Sequence, residues 1–316
     1  MKLRKKTKIL NNKILGSSET ICETTFNFDD YKPVMPEHKN KIDKEFLIYL
    51  IGFFEGDGSL LMNYQRKSIE FTLDQHSKDF AFLTNLRKSL GYGRVLKYKN
   101  GSMGRLFIGN EENLLRIIHL LNGNLCIPAR REQFRKFLLM YNEKYKTKIL
   151  FKNYGPKVSL DTAWLSGFTD AEGCFMLDIH RKRNGNVSCQ ARFSITQKTE
   201  PIIKDISNLF SKVNSSTKNR RLDPSWYGYE FYVGNKKSRV DLIRYFQRYK
   251  LKTKKRIAFL TWRNAHDLMV KKVHLTVEGY KTLEGLVKKI KKINKKLKIE
   301  SDLVRDDKSV PSKSNV

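Results

Sequence analysis

Two stretches of the chain repeat one pattern of apolar, small and acidic positions. The first reads LIGFFEGDG over residues 50–58, and the second reads LSGFTDAEG over residues 165–173. Apolar residues in each stretch recur at helical spacing, and a glycine, which often ends a helix, follows the last acid. The pattern predicts two equivalent helices, each of which carries an acid immediately before its terminal glycine.

Alternating apolar and polar positions follow both helices and predict strands with one buried and one polar face. In the first copy Leu60 and Met62 share the apolar face, and in the second copy Phe175, Leu177 and Ile179 do so. Two more pairs of segments match in the same order, FTLDQ at 71–75 with FSITQ at 193–197 and FIGN at 107–110 with YVGN at 232–235. Each copy therefore reads as a helix, a strand pair, a second helix, a second strand pair and further helices, which is an α+β arrangement.

The repeats divide the chain into five expected segments. They are a basic N-terminal extension at 1–42, a first repeat at 43–141, a linker at 142–159, a second repeat at 160–270 and a lysine-rich C-terminal helix with a disordered tail at 271–316. The linker is inferred from its lysine content and from Gly155 and Pro156, which favour irregular structure. Disorder is expected after Glu300.

The charge of the chain narrows the class of partner. There are 63 Lys and Arg residues against 32 Asp and Glu, a net charge of +31, yet 40% of the residues are hydrophobic and 11% aromatic, too many for a charged disordered polymer. A folded cation of this kind is expected to bind a polyanion, and nucleic acid fits better than a membrane because the charge is spread along the chain.

The longest apolar run, at 46–54, is far shorter than the ~20 residues of a membrane span. The four cysteines show no C-x-x-C spacing and predict neither a zinc site nor a disulfide framework.

Small residues occur four positions apart in both predicted helices, at Gly52, Gly56, Gly167 and Ala171. At that spacing they share a helix face and let two backbones approach closely, so we expect the two helices to pack against each other. Their C-terminal ends would then place the acids Asp57 and Glu172 side by side.

Two acids in this position repel each other and also face the negative ends of two helix dipoles. A hard divalent cation, Mg²⁺ or Mn²⁺, would compensate for both effects, because such ions bind carboxylate and phosphate oxygens. A bound ion can activate water and stabilise a leaving oxygen, which makes phosphodiester hydrolysis the expected chemistry. The alternative is that Asp57 and Glu172 are solvated residues at unrelated helix ends, but the repetition of the whole pattern favours a shared site.

The two stretches resemble the paired signature motifs of the LAGLIDADG homing endonucleases in their single-chain, two-repeat form. The first glycine, the penultimate acid and the final glycine are present in both, and the resemblance covers about residues 44–270. It implies two pseudo-symmetric αββαββα halves, a saddle of antiparallel β-sheet that lies on DNA, and motif helices at the interface. It further implies a monomeric enzyme that cuts both strands of DNA across the minor groove, leaves short 3′ overhangs and promotes the mobility of an intron.

The resemblance also implies roles for individual residues. It assigns catalytic roles to Asp57, Glu172, Gln75, Gln197 and Lys252, and metal-binding roles to Asp57, Glu172, Gly56 and Ala171. The two glutamines match a position that organises water near the metal, and the lysine matches a basic residue that stabilises the scissile phosphate. The first repeat departs from this pattern at 127–131, which leaves open whether Arg130 or Arg131 replaces the lysine. The earlier acids Glu55 and Asp170 lie on another helical face, so we expect them to have a structural role.

The polar strand faces and hairpin tips are expected to contact double-stranded DNA, with β-ribbons in the major groove. The candidate residues are Ser59, Asn63, Gln65, Lys67, Glu70, Thr72, Arg105, His180, Arg181, Lys182, Arg183, Gln190, Arg192 and Ser194. Of these, the tips Arg181 and Arg183 are expected to meet phosphates. Because the two polar faces differ in sequence, the preferred DNA site is expected to be long and not a perfect palindrome.

An RNA-binding maturase that assists group I intron splicing is the main alternative function, since some proteins of this family take on that role. Asp57 and Glu172 favour the nuclease, because RNA binding does not need these acids. A transcription regulator would need an added helix-turn-helix domain, and the C-terminal segment has room for only about one helix. The six histidines show no convincing His-Asn-His arrangement, which argues against that class of nuclease. The abundance of Lys and Asn is compatible with an organelle-encoded protein of a mitochondrion or chloroplast.

Overall fold

The chain folds into two similar halves followed by one long helix. The structure is a computed structural model that describes residues 25–39, 41, 43–98, 101–181, 187–210, 218–223 and 226–307. The first half contains α1 (Lys44–Asp57), β1 (Gly58–Asn63), β2 (Ser68–His76), α2 (Phe80–Leu90), β3 (Arg94–Lys97), β4 (Met103–Ile108), α3 (Glu111–Leu121) and α4 (Pro128–Tyr145). The second half contains α5 (Trp164–Glu172), β5 (Gly173–Arg181), β6 (Val187–Gln197), α6 (Glu200–Asn208), β7 (Lys218–Asp223), β8 (Trp226–Val233), α7 (Lys236–Arg248) and α8 (Lys255–Val270). The last helix is α9 (Val277–Asp307).

Each half builds one four-stranded antiparallel sheet, with the strand orders β1-β2-β4-β3 and β5-β6-β8-β7. Alternation along the strands buries Leu60 and Phe71 in the first half and Phe175 and Phe193 in the second. Helices cover these apolar faces; the Phe175 ring, for example, lies 5.6 Å from the ring of Phe259 in α8. The two halves repeat the same order of helices and strands, which confirms the predicted α+β fold with two pseudo-symmetric halves.

The described part of the N-terminal extension packs on the first half. Tyr31 is fully buried, and its hydroxyl lies 3.2 Å from the hydroxyl of Tyr92. The backbone N–H of Asn27 donates to Asn124 Oδ1 at 2.9 Å, and Asn124 Nδ2 donates back to the carbonyl of Asn27 at 2.6 Å. The aromatic residues at the end of this segment therefore join the core of the first half, although the segment as a whole is basic.

The connection between the halves follows a defined path. Helix α4 continues through Tyr145, so the first residues of the segment expected to be a linker are helical. Beyond it, Asn122 Nδ2 donates to the carbonyl of Leu150 at 2.8 Å, and the N–H of Lys152 donates to Asn122 Oδ1 at 2.9 Å. These hydrogen bonds satisfy backbone groups of an extended segment and hold it against the first half.

Helix α9 packs against α8 and along the edge strand β5, as its apolar stripe predicts. Leu283, Val287 and Ile290 are buried. Asn294 Nδ2 donates to the carbonyl of Phe175 at 2.9 Å and so satisfies a backbone group on the strand edge. Among the helices that the structure describes, none has the length and the hydropathy of a membrane span.

The lysine-rich side of α9 borders the polar face of β5. Lys291 Nζ lies 3.3 Å from Asp178 Oδ1, and Lys288, Lys292 and Lys295 are exposed. The helix is continuous to Asp307. The disorder expected after Glu300 stays a prediction.

Candidate active site at the ends of the motif helices

The small residues of α1 and α5 lie where the two helices touch. They are Gly52, Gly56, Gly167 and Ala171. A Cβ on Gly167 would lie 1.9 Å from the carbonyl oxygen of Tyr49, and a Cβ on Gly56 would lie 2.3 Å from the Cβ of Ala171. Early residues of one helix thus meet early residues of the other, and late residues meet late ones. The helices therefore run parallel, and their C-terminal ends lie side by side.

Asp57 and Glu172 are the last residues of α1 and α5 and lie at this junction. Gln75 Nε2 donates to Asp57 Oδ2 at 3.0 Å, and Gln197 makes the corresponding hydrogen bond with Glu172. Burial and the nearby carboxylate of Asp57 raise the pKa of Glu172 to about 7. The structure thus brings together the acid pair and the glutamine pair that the sequence singled out, with the two carboxylates close enough to repel each other.

Two cationic side chains lie at the same helix ends. Arg130, in the first turn of α4, donates from Nη2 to the carbonyl of Gly56 at 2.9 Å. Lys255, the first residue of α8, donates from Nζ to the carbonyl of Ala171 at 2.5 Å. Both cations attract the carboxylate of Glu172. They satisfy carbonyls that a helix leaves without partners at its C-terminus and offset part of the charge of the two acids.

A pair of buried acids, Glu55 and Asp170, links the two halves. Trp164 Nε1, in α5, donates to Glu55 Oε2 at 2.6 Å, and Tyr49 Oη, in α1, donates to Asp170 Oδ2 at 2.6 Å. Trp164 and Tyr49 occupy equivalent positions in the two repeats, so each motif helix sends one donor to the acid of the other. Burial raises the pKa of Glu55 to about 7 and also raises the pKa of Asp170. These contacts give both acids a structural role.

Each buried acid also fixes the start of a helix in its own half. The N–H of Ile127 donates to Glu55 Oε1 at 2.6 Å, and the N–H of Lys252 donates to Asp170 Oδ2 at 2.6 Å. The two cations described above lie about one helical turn further along the chain. The buried acids therefore determine where these cations approach the ends of the motif helices.

The lysine expected at the scissile phosphate has a different environment. Lys252 is exposed, and its Nζ lies 5.1 Å from the centre of the Tyr49 ring. The side chain that reaches the end of α5 is Lys255, which the sequence reasoning missed although it belongs to the same run of lysines. In the first half, Arg130 reaches the end of α1, whereas Arg131 donates to backbone carbonyls of the loop before α4. Of the two arginines that the sequence left open, Arg130 is therefore the one that lies at the end of its motif helix.

The oxygen atoms at the junction fit a hard divalent ion. Asp57 and Glu172 offer carboxylate oxygens, and Gly56 and Ala171 offer carbonyl oxygens in the adjoining turns, which are ligand types that Mg²⁺ and Mn²⁺ prefer. Within the described ranges, no group of three or more His, Cys, Asp or Glu side chains is placed to hold a metal. One or two carboxylates suffice for Mg²⁺ where substrate phosphates supply further oxygens. The donor set therefore fits a metal that works on a phosphate-containing substrate.

The first-half candidates for DNA contact divide by their exposure. Those exposed or half-buried on β1, β2 and their turn are Ser59, Asn63, Gln65, Lys67 and Glu70. Thr72 is only 1% exposed, because it lies on the central strand β2, where the register pairs it with the large side chain of Phe107. Thr72 is therefore not positioned to reach a base edge, which corrects the prediction.

The second half repeats this division. Exposed or half-buried candidates on β5 and β6 are His180, Arg181, Gln190 and Arg192. Ser194 is 4% exposed and pairs with Tyr232, so it is hidden in the same way as Thr72 in the first half. Lys182 and Arg183 lie outside the described residues.

Two acids on the sheets, Asp74 and Asp178, were not among the predicted DNA contacts. Asp74 accepts from Nε and Nη2 of Arg105 at 2.7 and 2.8 Å, a two-bond pair that fixes the guanidinium on the first sheet. Asp178 lies 3.7 Å from Arg192 on the second sheet. The alternation of apolar and polar positions could have identified both acids, since each directly follows a buried leucine and therefore lies on the opposite face of its strand.

Comparisons with known proteins agree with this architecture. The chain matches the family model described as LAGLIDADG endonuclease twice, over residues 50–141 and 165–266. A protein of Neurospora crassa, named as probable intron-encoded endonuclease 4, is 34% identical over 231 residues, which are 72% of this chain and 41% of that protein. The intron-encoded RNA maturase bI4 of Saccharomyces cerevisiae is 27% identical over 177 residues, which are 51% of this chain and 26% of that protein. The chain therefore spans less than half the length of these two relatives.

A solved structure shows the same fold. The I-LtrWI LAGLIDADG homing endonuclease bound to target DNA superposes with a TM-score of 0.62 and 19% identity, over 78% of this chain and 97% of that one. Both matches to the family model begin at the motif helices whose ends carry the paired acids. From the double match, which takes in more than half of its residues, we conclude that the chain belongs to the LAGLIDADG endonuclease family.

Proposed function

We propose that the chain is a site-specific DNA endonuclease that hydrolyses phosphodiester bonds with Mg²⁺ or Mn²⁺. The observation that carries this proposal is the pair Asp57 and Glu172, one acid from each pseudo-symmetric half, at the junction of two parallel helices. Membership of the family, the name of the Neurospora relative and the net charge of +31 support it. One acid from each half suits a substrate with two similar scissile phosphates, which double-stranded DNA provides.

In the proposed reaction a bound metal would supply an activated water and positive charge for the leaving oxygen. Asp57 and Glu172 would hold this metal together with the adjoining carbonyls. Gln75 and Gln197 fix the orientation of the two carboxylates through their side-chain N–H groups, and their amide oxygens are left to hold a water. The side chains thereby prepare the geometry for hydrolysis before the substrate arrives.

We infer that the two polar sheet faces bind one long, non-palindromic site on double-stranded DNA. A single chain supplies both halves, so the proposed active form is a monomer. Cleavage across the minor groove with short 3′ overhangs, a role in the mobility of an intron and an origin in a mitochondrion or chloroplast complete the proposal. The intron-encoded relatives support the role in the mobility of an intron.

Cleavage of a randomised DNA library in Mg²⁺, followed by sequencing of the cut ends, tests the proposal. Asp57→Asn and Glu172→Gln are expected to lose about 100-fold or more in cleavage rate, since a catalytic metal contributes several kcal/mol to the transition state. Binding of the identified site, measured by gel shift, is expected to persist in both variants. Asp241→Asn, a change in α7 on the covered side of the second sheet, is the control and should cut normally. Unchanged cleavage in either active-site variant would exclude the assignment of the metal site.

A second candidate function, that of a maturase, is favoured by the resemblance to an RNA maturase. Splicing of a transcript that contains the coding region and its flanks, with and without the protein, tests it. Faster splicing with both the unmodified chain and Asp57→Asn would show that the chain assists splicing independently of cleavage. If neither protein changes the splicing rate, the maturase function is excluded for that transcript.

A further inference from the structure

The two cations at the active-site junction differ in how firmly they are held. The guanidinium of Arg130 donates to four acceptors, and three of them are carbonyls at the end of α1. The acceptors are the carbonyls of Glu55, Gly56 and Gly58 at 2.9, 2.9 and 3.1 Å and Gln133 Oε1 at 2.9 Å. A planar group with several fixed hydrogen bonds loses all of them together when it moves. Arg130 is therefore fixed in place.

Lys255 holds the equivalent position with fewer hydrogen bonds. Its Nζ donates to the carbonyl of Ala171 at 2.5 Å and to the carbonyl of Thr169 at 3.3 Å. Lysine carries a compact charge on a flexible four-carbon stem, so the ammonium can turn away while the backbone stays where it is. The two halves thus contain a fixed cation and a movable one at equivalent places.

The carbonyls that accept from these cations are the ones that belong to the proposed metal site. Gly56 accepts from Arg130 and Ala171 accepts from Lys255. A divalent ion on either oxygen would lie next to a side-chain positive charge, and the two charges would repel each other. Metal and side chain therefore compete for the same oxygens, and the cation with fewer hydrogen bonds is the one that is displaced.

We propose that a divalent ion displaces Lys255 from the end of α5, that the freed ammonium then contacts the scissile phosphate of one DNA strand, and that Arg130 stays at the end of α1. This proposal rests on the endonuclease function proposed above. Lys255 acts through its charge alone: it attracts phosphate oxygens in the transition state and exchanges neither a proton nor a covalent bond. The two strands are consequently cut at different rates, and the strand that Lys255 serves is cut first.

Metal affinity measured without catalysis is the first test. Mn²⁺ is titrated into the full chain in the absence of DNA, and the free ion is followed by electron paramagnetic resonance. Lys255→Gln removes a competing charge and is expected to bind Mn²⁺ at least about threefold more tightly than the unmodified chain. The matched control is Lys254→Gln, which removes the neighbouring lysine, whose Nζ lies 3.7 Å from Asp79, and it should leave the affinity unchanged. If Lys255→Gln binds Mn²⁺ with unchanged or weaker affinity, the metal and Lys255 do not compete for the same carbonyl oxygens, and the proposal is wrong.

The rate of cleavage of each strand is the second test, measured in single turnover on a duplex with differently labelled ends. Lys255→Gln is expected to slow the faster strand about tenfold or more and the other strand less than about twofold, as loss of one charge contact at a single phosphate implies. Arg130→Lys is expected to accelerate the slower strand. Equal slowing of both strands by Lys255→Gln overturns the assignment, because a general structural defect would act on both.

Lys255→Arg keeps the test decisive if Lys255→Gln folds poorly. Arginine keeps the charge but binds carbonyls as a fork, so the difference in rate between the strands is expected to shrink. If Lys255→Arg shows the same difference in cleavage rate between the two strands as the unmodified chain, the proposal is contradicted. If the unmodified chain does not cut DNA while the Mn²⁺ affinities change as expected, the competition for the carbonyls stands, and the endonuclease function and the phosphate contact both fall.

Discussion

Replacement of Gly167 by alanine tests how closely the motif helices pack. A Cβ at this position would lie 1.9 Å from the carbonyl oxygen of Tyr49 and 2.8 Å from the backbone nitrogen of Phe53, whereas ordinary contact begins at 3.4 Å. Both neighbours are backbone atoms of α1, so one helix must shift by roughly 1 Å or more to admit the methyl group in a close-packed interior. Overpacking of this kind costs about 1–3 kcal/mol, and a clash with backbone belongs at the upper end. Alanine regains about 1 kcal/mol of helix propensity, so the free energy of unfolding is expected to fall by about 2 kcal/mol.

Urea unfolding followed by circular dichroism measures this change. The matched control is Gly285→Ala in α9, where a Cβ meets nothing within 4 Å. This control is expected to raise the free energy of unfolding by about 0.5–1 kcal/mol, because alanine is the better helix former. The same shift of α5 would move Glu172 relative to Asp57, so Gly167→Ala should also cut DNA more slowly. If Gly167→Ala is as stable as the unmodified chain, the close approach of the helices is wrong.

Two further perturbations separate the helix interface from the DNA-binding surface. Tyr49→Phe removes one donor from the buried carboxylate of Asp170. A hydrogen bond to a charged group contributes about 1.5–3 kcal/mol, so the free energy of unfolding is expected to fall by about that amount. Urea unfolding measures this change. The triple variant of Lys288, Lys292 and Lys295 to Gln is expected to reduce the slope of log K against log [salt] for DNA binding by up to about 3, because each phosphate contact contributes about 0.9.

Each of these perturbations has a control with a defined contrary outcome. Tyr31→Phe removes another buried hydroxyl, whose described hydrogen bond is to the neutral hydroxyl of Tyr92 at 3.2 Å, and its loss of stability should be smaller than that of Tyr49→Phe. A larger loss in Tyr31→Phe would contradict the importance given to the buried acid. The lysine control replaces three exposed lysines on α2, α7 and the connection, namely Lys88, Lys237 and Lys148. An equal change of salt slope in both triple variants would show that α9 contributes only net charge.

The repeat made the two halves predictable, because alternation and helical spacing are local patterns and each of them occurs twice. Features that do not follow from these repeated patterns were harder to predict. Tyr31 is buried because of a contact with Tyr92 on a distant part of the chain, and the basic composition around it gives no sign of that contact. Helix α4 extends through Tyr145 because no Gly or Pro interrupts it, and it ends at Lys146, which adopts a left-handed conformation with φ of 57°. Glycine is the usual residue in that conformation, so a lysine gives no sequence signal for the end of a helix.

The candidate site was predictable as far as the acids and no further. Asp57 and Glu172 follow from position alone, since the last residue before the terminal glycine is fixed by the motif. Which lysine reaches the end of α5 depends on where α8 starts, and the N–H of Lys252 bound to Asp170 sets that start. Thr72 was misjudged for a similar reason, because its burial depends on the residue that stands beside it on the next strand.

The hydrogen bonds of the buried acids connect the helix interface to the active site. Glu55 holds Trp164 of the other half and the start of α4 in its own half, and α4 in turn brings Arg130 to the end of α1. A change at the interface therefore moves a cation in one half and a carboxylate in the other, so stability and cleavage should fall together in variants such as Gly167→Ala. The polar sheet faces and the lysines of α9 share none of these contacts in the described structure. They are free to differ between the halves, which lets one paired centre act on a DNA site whose two half-sites are read by different residues.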